Sequence, residues 1–223
     1  MEWREKCKEL IEVGQALYEK GLLVGTDGNF SIRLNEQEML ITASGRCKGK
    51  LTTEGFTRVN FNGDILSGPK PARDIRMHLA VYHTKPEIKS VVHAHPPIAT
   101  GLSMTKEISH ELKKLALPEV MFNLRGIAVT EYCTPISCEV PEELIKAMRQ
   151  NPRAEAVLLA NHGALTMGET PWDAFYKMET LEMFAKTLFV SKLFGTVSYL
   201  DKEQTKKVDR LINGEDPDVV ARS

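Results

Sequence analysis

Three histidines carry the chemistry that this sequence is equipped to do. The stretch Ser90-Val91-Val92-His93-Ala94-His95-Pro96-Pro97 reads as a buried strand: β-branched residues lead into His-Ala-His, and the paired prolines stop the ladder. Residues i and i+2 of a strand share a face, so His93 and His95 aim their imidazoles at one point. Two converging imidazoles are half of a site for zinc or another divalent metal, although a lone His-x-His pair equally describes two ordinary histidines. The apolar run Ala156-Val157-Leu158-Leu159-Ala160 leads into Asn161-His162-Gly163, which puts a third histidine at the end of a second predicted buried strand. Three histidines with one coordination position open are the ligand set of a catalytic metal rather than a closed structural one.

The surrounding elements must bring these residues together. Residues from about 2 to 20 carry Trp3, Cys7, Leu10, Ile11, Leu17 and Tyr18 at helical spacing, with Gly21 as the stop. Gly25-Thr26-Asp27-Gly28-Asn29-Phe30-Ser31-Ile32-Arg33 is a Gly-rich turn running into an alternating strand. A second strand, Met39-Leu40-Ile41-Thr42, opens into Ala43-Ser44-Gly45-Arg46. Loops of Gly, Asn, Ser and Thr expose N–H groups and hydroxyls that suit phosphate oxygens, though most such turns are only turns. Residues 57–61 and 64–66 flank Asn62-Gly63, which predicts a two-residue type I′ hairpin. Short connections between these strands make this part of the sheet antiparallel. Residues 68–74 lead into a helix through about His83, with Ile75, Leu79 and Tyr82 as its apolar stripe. Asp74 stands near the start of that helix, where a carboxylate can cap, and His78 one turn on reads as a packed or solvated histidine.

Further along, short helices are expected over 98–104 and 107–115, strands over 119–122 and 127–130, and a helix from Val140-Pro141. Thr170-Pro171 opens a long amphipathic helix to about Phe194, whose Trp172, Phe175, Met178, Leu181, Met183 and Phe184 read as core or subunit contact. The charged tail from Asp201 reads as one helix and a loose end.

Composition excludes several classes. At 223 residues with 42% hydrophobic content the chain can bury a full core, and a single domain over 1–223 is expected. A net charge of -1 gives no electrostatic footprint for nucleic acid. The apolar runs are too short to span a membrane. The N-terminal Met1-Glu2-Trp3-Arg4-Glu5-Lys6 lacks a signal-peptide core, so a cytoplasmic location is expected. Cys7, Cys47, Cys133 and Cys138 form no Cys-x-x-Cys pair and read as free thiols.

Four pieces fall in one order: the Gly-Asn-Phe-Ser strand start, the Ile-Thr-Ala-Ser-Gly loop, an acid opening a helix about twenty positions before His-x-His, and the distant Asn-His-Gly. Together, over roughly residues 21–194, they resemble the class II aldolase/adducin superfamily, most closely its L-fuculose-1-phosphate aldolase branch. The resemblance implies a zinc ion held by His93, His95 and His162, and Asp74 at the place of the family's glutamate, a metal contact and general acid/base. It puts a phosphate pocket at Gly28, Asn29, Ser44, Gly45 and the two residues before the acid, Ala72 and Arg73. It implies an α/β fold with three layers, α/β/α, around a mainly antiparallel central sheet, assembled as a homotetramer with active sites at the subunit interfaces. The activity implied is cleavage of a small ketose 1-phosphate, such as L-fuculose 1-phosphate, into dihydroxyacetone phosphate and an aldehyde through a metal-stabilised enediolate.

The sequence departs from this pattern in three places. Asp74 stands where the aldolases carry Glu, drawing the carboxylate back by roughly 1.5 Å. Ala72-Arg73 replaces a pair of serines, trading two hydroxyls for a guanidinium that suits a phosphate or a carboxylate. The family's tyrosine after the His-x-His strand has no clear match, with Tyr132 and Tyr199 as candidates. The same metal on a related substrate gives a 4-epimerase, dehydratase or decarboxylase, although the epimerases' His-Ala-Asp-Tyr stretch is missing between His95 and His162. Adducin-type interaction domains keep the fold without the metal and have no need of three histidines.

Overall fold

The computed structural model describes residues 2–105, 109, 111–114 and 116–215. Its strands are β1 Asn29–Arg33, β2 Glu38–Thr42, β3 Phe56–Asn60, β4 Ile65–Ser67, β5 Ser90–Ala94, β6 Ile127–Val129, β7 Ala156–Leu159 and β8 Gly163–Gly168. They form one sheet in the order β4-β3-β2-β1-β5-β8-β7-β6. Every neighbouring pair is antiparallel except β6 and β7.

Alternation along the strands sends side chains to two separate cores, because successive residues point to opposite faces. Phe30, Ile32, Leu40, Val92 and Leu158 face one core, packed under α1 Glu2–Glu19, α3 Pro97–Ser103, α4 Pro118–Leu124 and α6 Pro171–Phe194. Met39, Ile41, Val91, Val157 and Leu165 face the other, under α2 Ile75–Thr84 and α5 Glu139–Gln150. The fold is therefore mixed α/β, with helices flanking both faces of a mostly antiparallel sheet. The charged C-terminal segment forms α7 Lys202–Ile212, opened by an Asp201 capping box.

Several expectations are corrected. Residues 119–122 are not a strand: Pro118 opens α4, and the buried Val120, Met121 and Leu124 lie on one helical face while Phe122 is exposed. The hairpin at Asn62-Gly63 has a three-residue loop. Asn60 pairs with Asp64, Gly63 N–H donates to Asn60 O, and Gly63 takes a φ of 94°, the turn-plus-bulge arrangement that glycine permits. The stripe of α2 is also displaced. Met77, His78, Ala80, Val81 and Tyr82 are its buried residues, whereas Ile75 and Leu79 lie at the margin. Of the helix expected over 107–115, residues 107, 108, 110 and 115 lie outside the described residues. The cysteines are free thiols, as expected. No helix among the described residues is long and apolar enough to cross a membrane.

The helix after β5 is fastened to α6 by a carboxylate. Glu182 on α6 accepts from the N–H groups of both Ile98 and Ala99, each at 2.9 Å, in the first turn of α3. Those donors have no partner inside the helix, and a carboxylate there also meets the positive end of the helix. Glu182→Ala is expected to lower stability by about 1–3 kcal/mol, measured by urea denaturation. A change below a few tenths would show that water replaces the carboxylate at no cost.

Candidate metal centre

His93 and His95 reach one spot because β5 runs into Pro96-Pro97, with His95 just beyond its last residue and its N–H donating to Leu22 O. His162 arrives from the neighbouring β7–β8 hairpin. Leu159 pairs with Gly163 there, so Ala160, Asn161 and His162 make a three-residue loop, with Asn161 in the left-handed region at φ 55°. The three ring centroids lie 4.8–5.3 Å apart.

The ring nitrogens are arranged as ligands. His93 is buried and donates from Nδ1 to Ala164 O at 2.9 Å, which leaves its Nε2 as an acceptor. That Nε2 lies 3.3 Å from His95 Nε2, and one nitrogen from each ring fits within 4.8 Å of the others. Ligands about 2.0–2.1 Å from a tetrahedral ion stand roughly 3.3–3.4 Å apart, so the His93–His95 spacing fits a shared metal. Burial holds all three imidazoles below their ordinary pKa, His93 furthest, with neighbouring imidazoles adding to the effect on His93 and His162. Each is therefore neutral near pH 7, the form that binds a metal. Asp27 Oδ2 stands 3.8 Å from His95 Nδ1, on the outer side of that ring.

Two glycines permit this convergence. A Cβ on Gly28, at φ 69°, would lie 2.7 Å from His93 O, and one on Gly163 would lie 2.6 Å from both Ala94 O and His95 Cδ2. Neither spacing tolerates a side chain without moving a histidine.

In front of the histidines lies a cavity of about 350 Å³. Its wall brings together Gly28, Asn29, Ser44, Gly45, Arg73 and Asp74 with His95 and His162, while His93 sits behind. Asp74 precedes α2 but makes no cap; its Oδ2 accepts from Asn29 Nδ2 at 3.0 Å. Ser44 spends its backbone N–H on Lys70 O, so its hydroxyl is what remains for a ligand. Arg73 is exposed and has no ion-pair partner among the described residues. Tyr132 and Tyr199 do not line the cavity. Tyr132 is exposed, and Tyr199 is held beside Glu111 and Lys114, with its phenol raised by burial and by Glu111.

Sequence reasoning missed Lys48. Its side chain is buried in the cavity wall, and Nζ donates to Thr26 O at 2.9 Å and Arg46 O at 2.7 Å, tying the two small-residue loops together. Burial lowers its pKa to about 8, against Asp27, Cys47 and Asp74, which favour the charged form. Nothing separated it in sequence from its neighbours Arg46 and Lys50. Pro135 and Ile136 were missed as well. They bring an apolar edge to the cavity, with Ile136 at φ 72°, a conformation a β-branched residue rarely adopts.

Residues 8–189 match the family model for the class II aldolase and adducin N-terminal domain. The chain belongs to this family. Among curated members it is 32% identical to a 3-oxo-tetronate 4-phosphate decarboxylase of Pectobacterium atrosepticum, over 82% of this chain and 83% of that protein. It is also 32% identical to an L-fuculose phosphate aldolase of Methanococcus maripaludis, over 82% of this chain and 95% of that one. A solved L-fuculose 1-phosphate aldolase superimposes with a TM-score of 0.80 or better, at 0.82, with 30% identity over 93% of this chain and 94% of the other. The class II aldolase family thus accounts for the sheet, the flanking helices and the histidine cluster, and it contains enzymes of more than one reaction type acting on sugar phosphates.

Gly163→Ala should weaken metal binding by at least about tenfold, since its methyl group must displace His95. Elemental analysis after dialysis against a weak chelator checks this. Full retention of metal would show that the ligand set does not depend on His95 staying where it is.

Proposed function

We propose that this protein is a zinc-dependent carbon–carbon lyase that releases dihydroxyacetone phosphate, and that the bond it breaks is the one to a carboxylate. The observation that carries the reading is the unpaired Arg73 beside Asp74 at the cavity wall. Relative to the serines of the aldolase pattern, Arg73 adds one positive charge. A 3-oxo-tetronate 4-phosphate carries one more negative charge than a ketose 1-phosphate, namely its carboxylate. The guanidinium offers paired N–H donors to that group.

In this reading His93, His95 and His162 hold the metal. When bound, the ion polarises the substrate's keto oxygen and stabilises the enediolate charge. Ser44, Gly45, Gly28 and Lys48 seat the phosphate, and Arg73 orients the carboxylate. As carbon dioxide leaves, the electron pair of the broken bond passes into the enediolate. Asp74 then relays a proton, taken up from solvent, to the carbon that lost the carboxylate. No hydroxyl has to be deprotonated. An aldol cleavage also requires a base for the hydroxyl on the departing aldehyde, whereas among the described residues Asp74 and Asp27 are the cavity's carboxylates and no tyrosine lines it. The exposed apolar side of α6, with Tyr176, Met183, Phe189, Val190 and Leu193, supports assembly as a homotetramer. Free thiols and a diffusible sugar-phosphate substrate agree with a cytoplasmic setting.

Aldol cleavage is the second reading, favoured by the equal identity to an L-fuculose phosphate aldolase, with Arg73 then on the phosphate. Both reactions release dihydroxyacetone phosphate, so one coupled assay follows either substrate. Turnover of 3-oxo-tetronate 4-phosphate, with one carbon dioxide per product and at least about a hundredfold loss in Asp74→Asn, is the expected result. Preference for L-fuculose 1-phosphate would establish the aldolase, and about one zinc per chain is expected with either.

Lys48 makes a separate pH prediction. With its pKa near 8 in the free protein, its ammonium is charged below that pH and neutral above it. A bound phosphate dianion favours the charged form, so affinity for dihydroxyacetone phosphate should fall as pH rises through 8, by at most about tenfold per unit. Calorimetry on Lys48→Met should show weaker binding that is flat across this range. A parallel decline in the variant would assign the pH dependence to another group.

A further inference from the structure

A chain of buried polar groups runs inward from Asp74. Asn29 Nδ2 lies 3.0 Å from Asp74 Oδ2, His78 Nε2 lies 2.6 Å from Asn29 Oδ1, Ser31 Oγ lies 2.7 Å from His78 Nδ1, and Tyr82 Oη lies 2.8 Å from Ser31 Oγ. Asn29, Ser31, His78 and Tyr82 are all buried, so water does not replace these bonds.

The proton in each link is fixed by its neighbour. An ionised carboxylate only accepts, so Asn29 must turn its amide nitrogen toward Asp74 and its carbonyl oxygen toward His78. His78 Nε2 must therefore carry the hydrogen. Burial lowers the His78 pKa to about 3, so the ring is neutral and its Nδ1 is an acceptor. Ser31 then donates to Nδ1, which leaves its oxygen to accept from the Tyr82 hydroxyl. Every bond points the same way, from Tyr82 toward Asp74, and such chains polarise one another. Reverse one link and two like groups face each other in the interior.

We propose that His78, Ser31 and Tyr82 are positioning residues that lock the Asn29 amide in one orientation and thereby aim the Asp74 carboxylate at the reacting carbon. The role rests on Asp74 being the proton-transfer group, as read above. It explains how an aspartate serves at this place: a carboxylate on a shorter arm gains a fixed donor from β1, which the strand register holds opposite His93. Asn29 has one further N–H for a substrate oxygen. With its carbonyl taken by His78 and its other N–H by Asp74, it is principally a support of the acid rather than a phosphate ligand.

Ser31→Ala removes the middle link with the least change of volume, and Tyr82→Phe cuts the far end without changing shape, in case the first variant fails to fold. In the metal-loaded protein, nitrogen-15 spectra should show His78 with hydrogen on Nε2 and the Asn29 side-chain amide protected from solvent exchange. Ser31→Ala should speed that exchange at least about tenfold and lower kcat roughly tenfold while KM stays within about twofold. Tyr82→Phe should do the same to a smaller degree. A His78 ring with hydrogen on Nδ1, or Ser31→Ala and Tyr82→Phe proteins that fold with unchanged exchange and unchanged kcat, would overturn the proposal. An active Asp74→Asn protein with the His78 and Asn29 signals as expected would instead reject the role given to Asp74 and leave the hydrogen-bond chain standing.

Discussion

The site depends on keeping three neutral imidazoles pressed together at one end of the seam where β5 meets β8 and the β7–β8 hairpin turns. His93 Nε2 is an acceptor, and His95 Nε2, 3.3 Å away, meets it through a shared metal or, as a neutral ring, through its own N–H. Burial and mutual repulsion disfavour protonation of these rings. The convergence therefore has to be imposed by the backbone. His93 is held by Ala164 O across the β5–β8 ladder, His95 by its N–H on Leu22 O, and His162 by a tight loop whose Asn161 N–H reaches Ser103 Oγ. Gly28 and Gly163 let the neighbouring chains come close enough for this to work. The Glu182 carboxylate secures the helix that follows the paired prolines. A packed sheet with cores on both faces is what gives such a cluster no room to relax apart.

Much of this was legible in the residues, for reasons that differ from place to place. The histidines could be read because a two-residue period fixes side-chain direction whatever the tertiary context. The long helix from Pro171 declared itself through a cap, a proline at its first turn and a sustained apolar period. Short apolar stretches were harder. Residues 119–122 have a composition that suits either a strand or one turn of helix, and only Pro118 together with the position of Leu124 separates the two. The Asn62-Gly63 dipeptide gave the turn but not its length, because a glycine at φ 94° serves a three-residue loop as well as a two-residue one. Lys48 was illegible for another reason. Burial of a lysine is set by the carbonyls of Thr26 and Arg46, and no local pattern announces where those will lie. The polar chain behind Asp74 spans β1 and α2 with the residue that precedes it, so it exists only once those elements are packed.

The buried polar chain also bears on how firmly the family pattern constrains the acid. A glutamate reaches further but has one more rotatable bond to fix, and an aspartate reaches less far with fewer ways to be wrong. In this protein the carboxylate is anchored by an amide whose orientation is itself fixed two links deeper by a neutral histidine. Shortening the acid and rigidifying its support are therefore compatible changes, and the cost in reach falls on the substrate rather than on the fold.

The proposed choice of bond rests on that cost. All the reactions attributed to this site share one electronic demand, stabilising charge that develops beside a keto oxygen, and the histidine cluster meets it independently of the leaving group. The reactions differ in how many protons must move and where. Aldol cleavage takes one from a hydroxyl and returns one to carbon, at positions on either side of the breaking bond. Decarboxylation only returns one. A carboxylate held toward β1 by Asn29 stands in a cavity whose described residues include a guanidinium without an ion-pair partner and no tyrosine, which fits the proposal of one proton transfer and one extra anion. Between two reactions with the same electronic requirement, that combination supports the proposed decarboxylation, in which a bound carboxylate departs as neutral carbon dioxide and no base is needed.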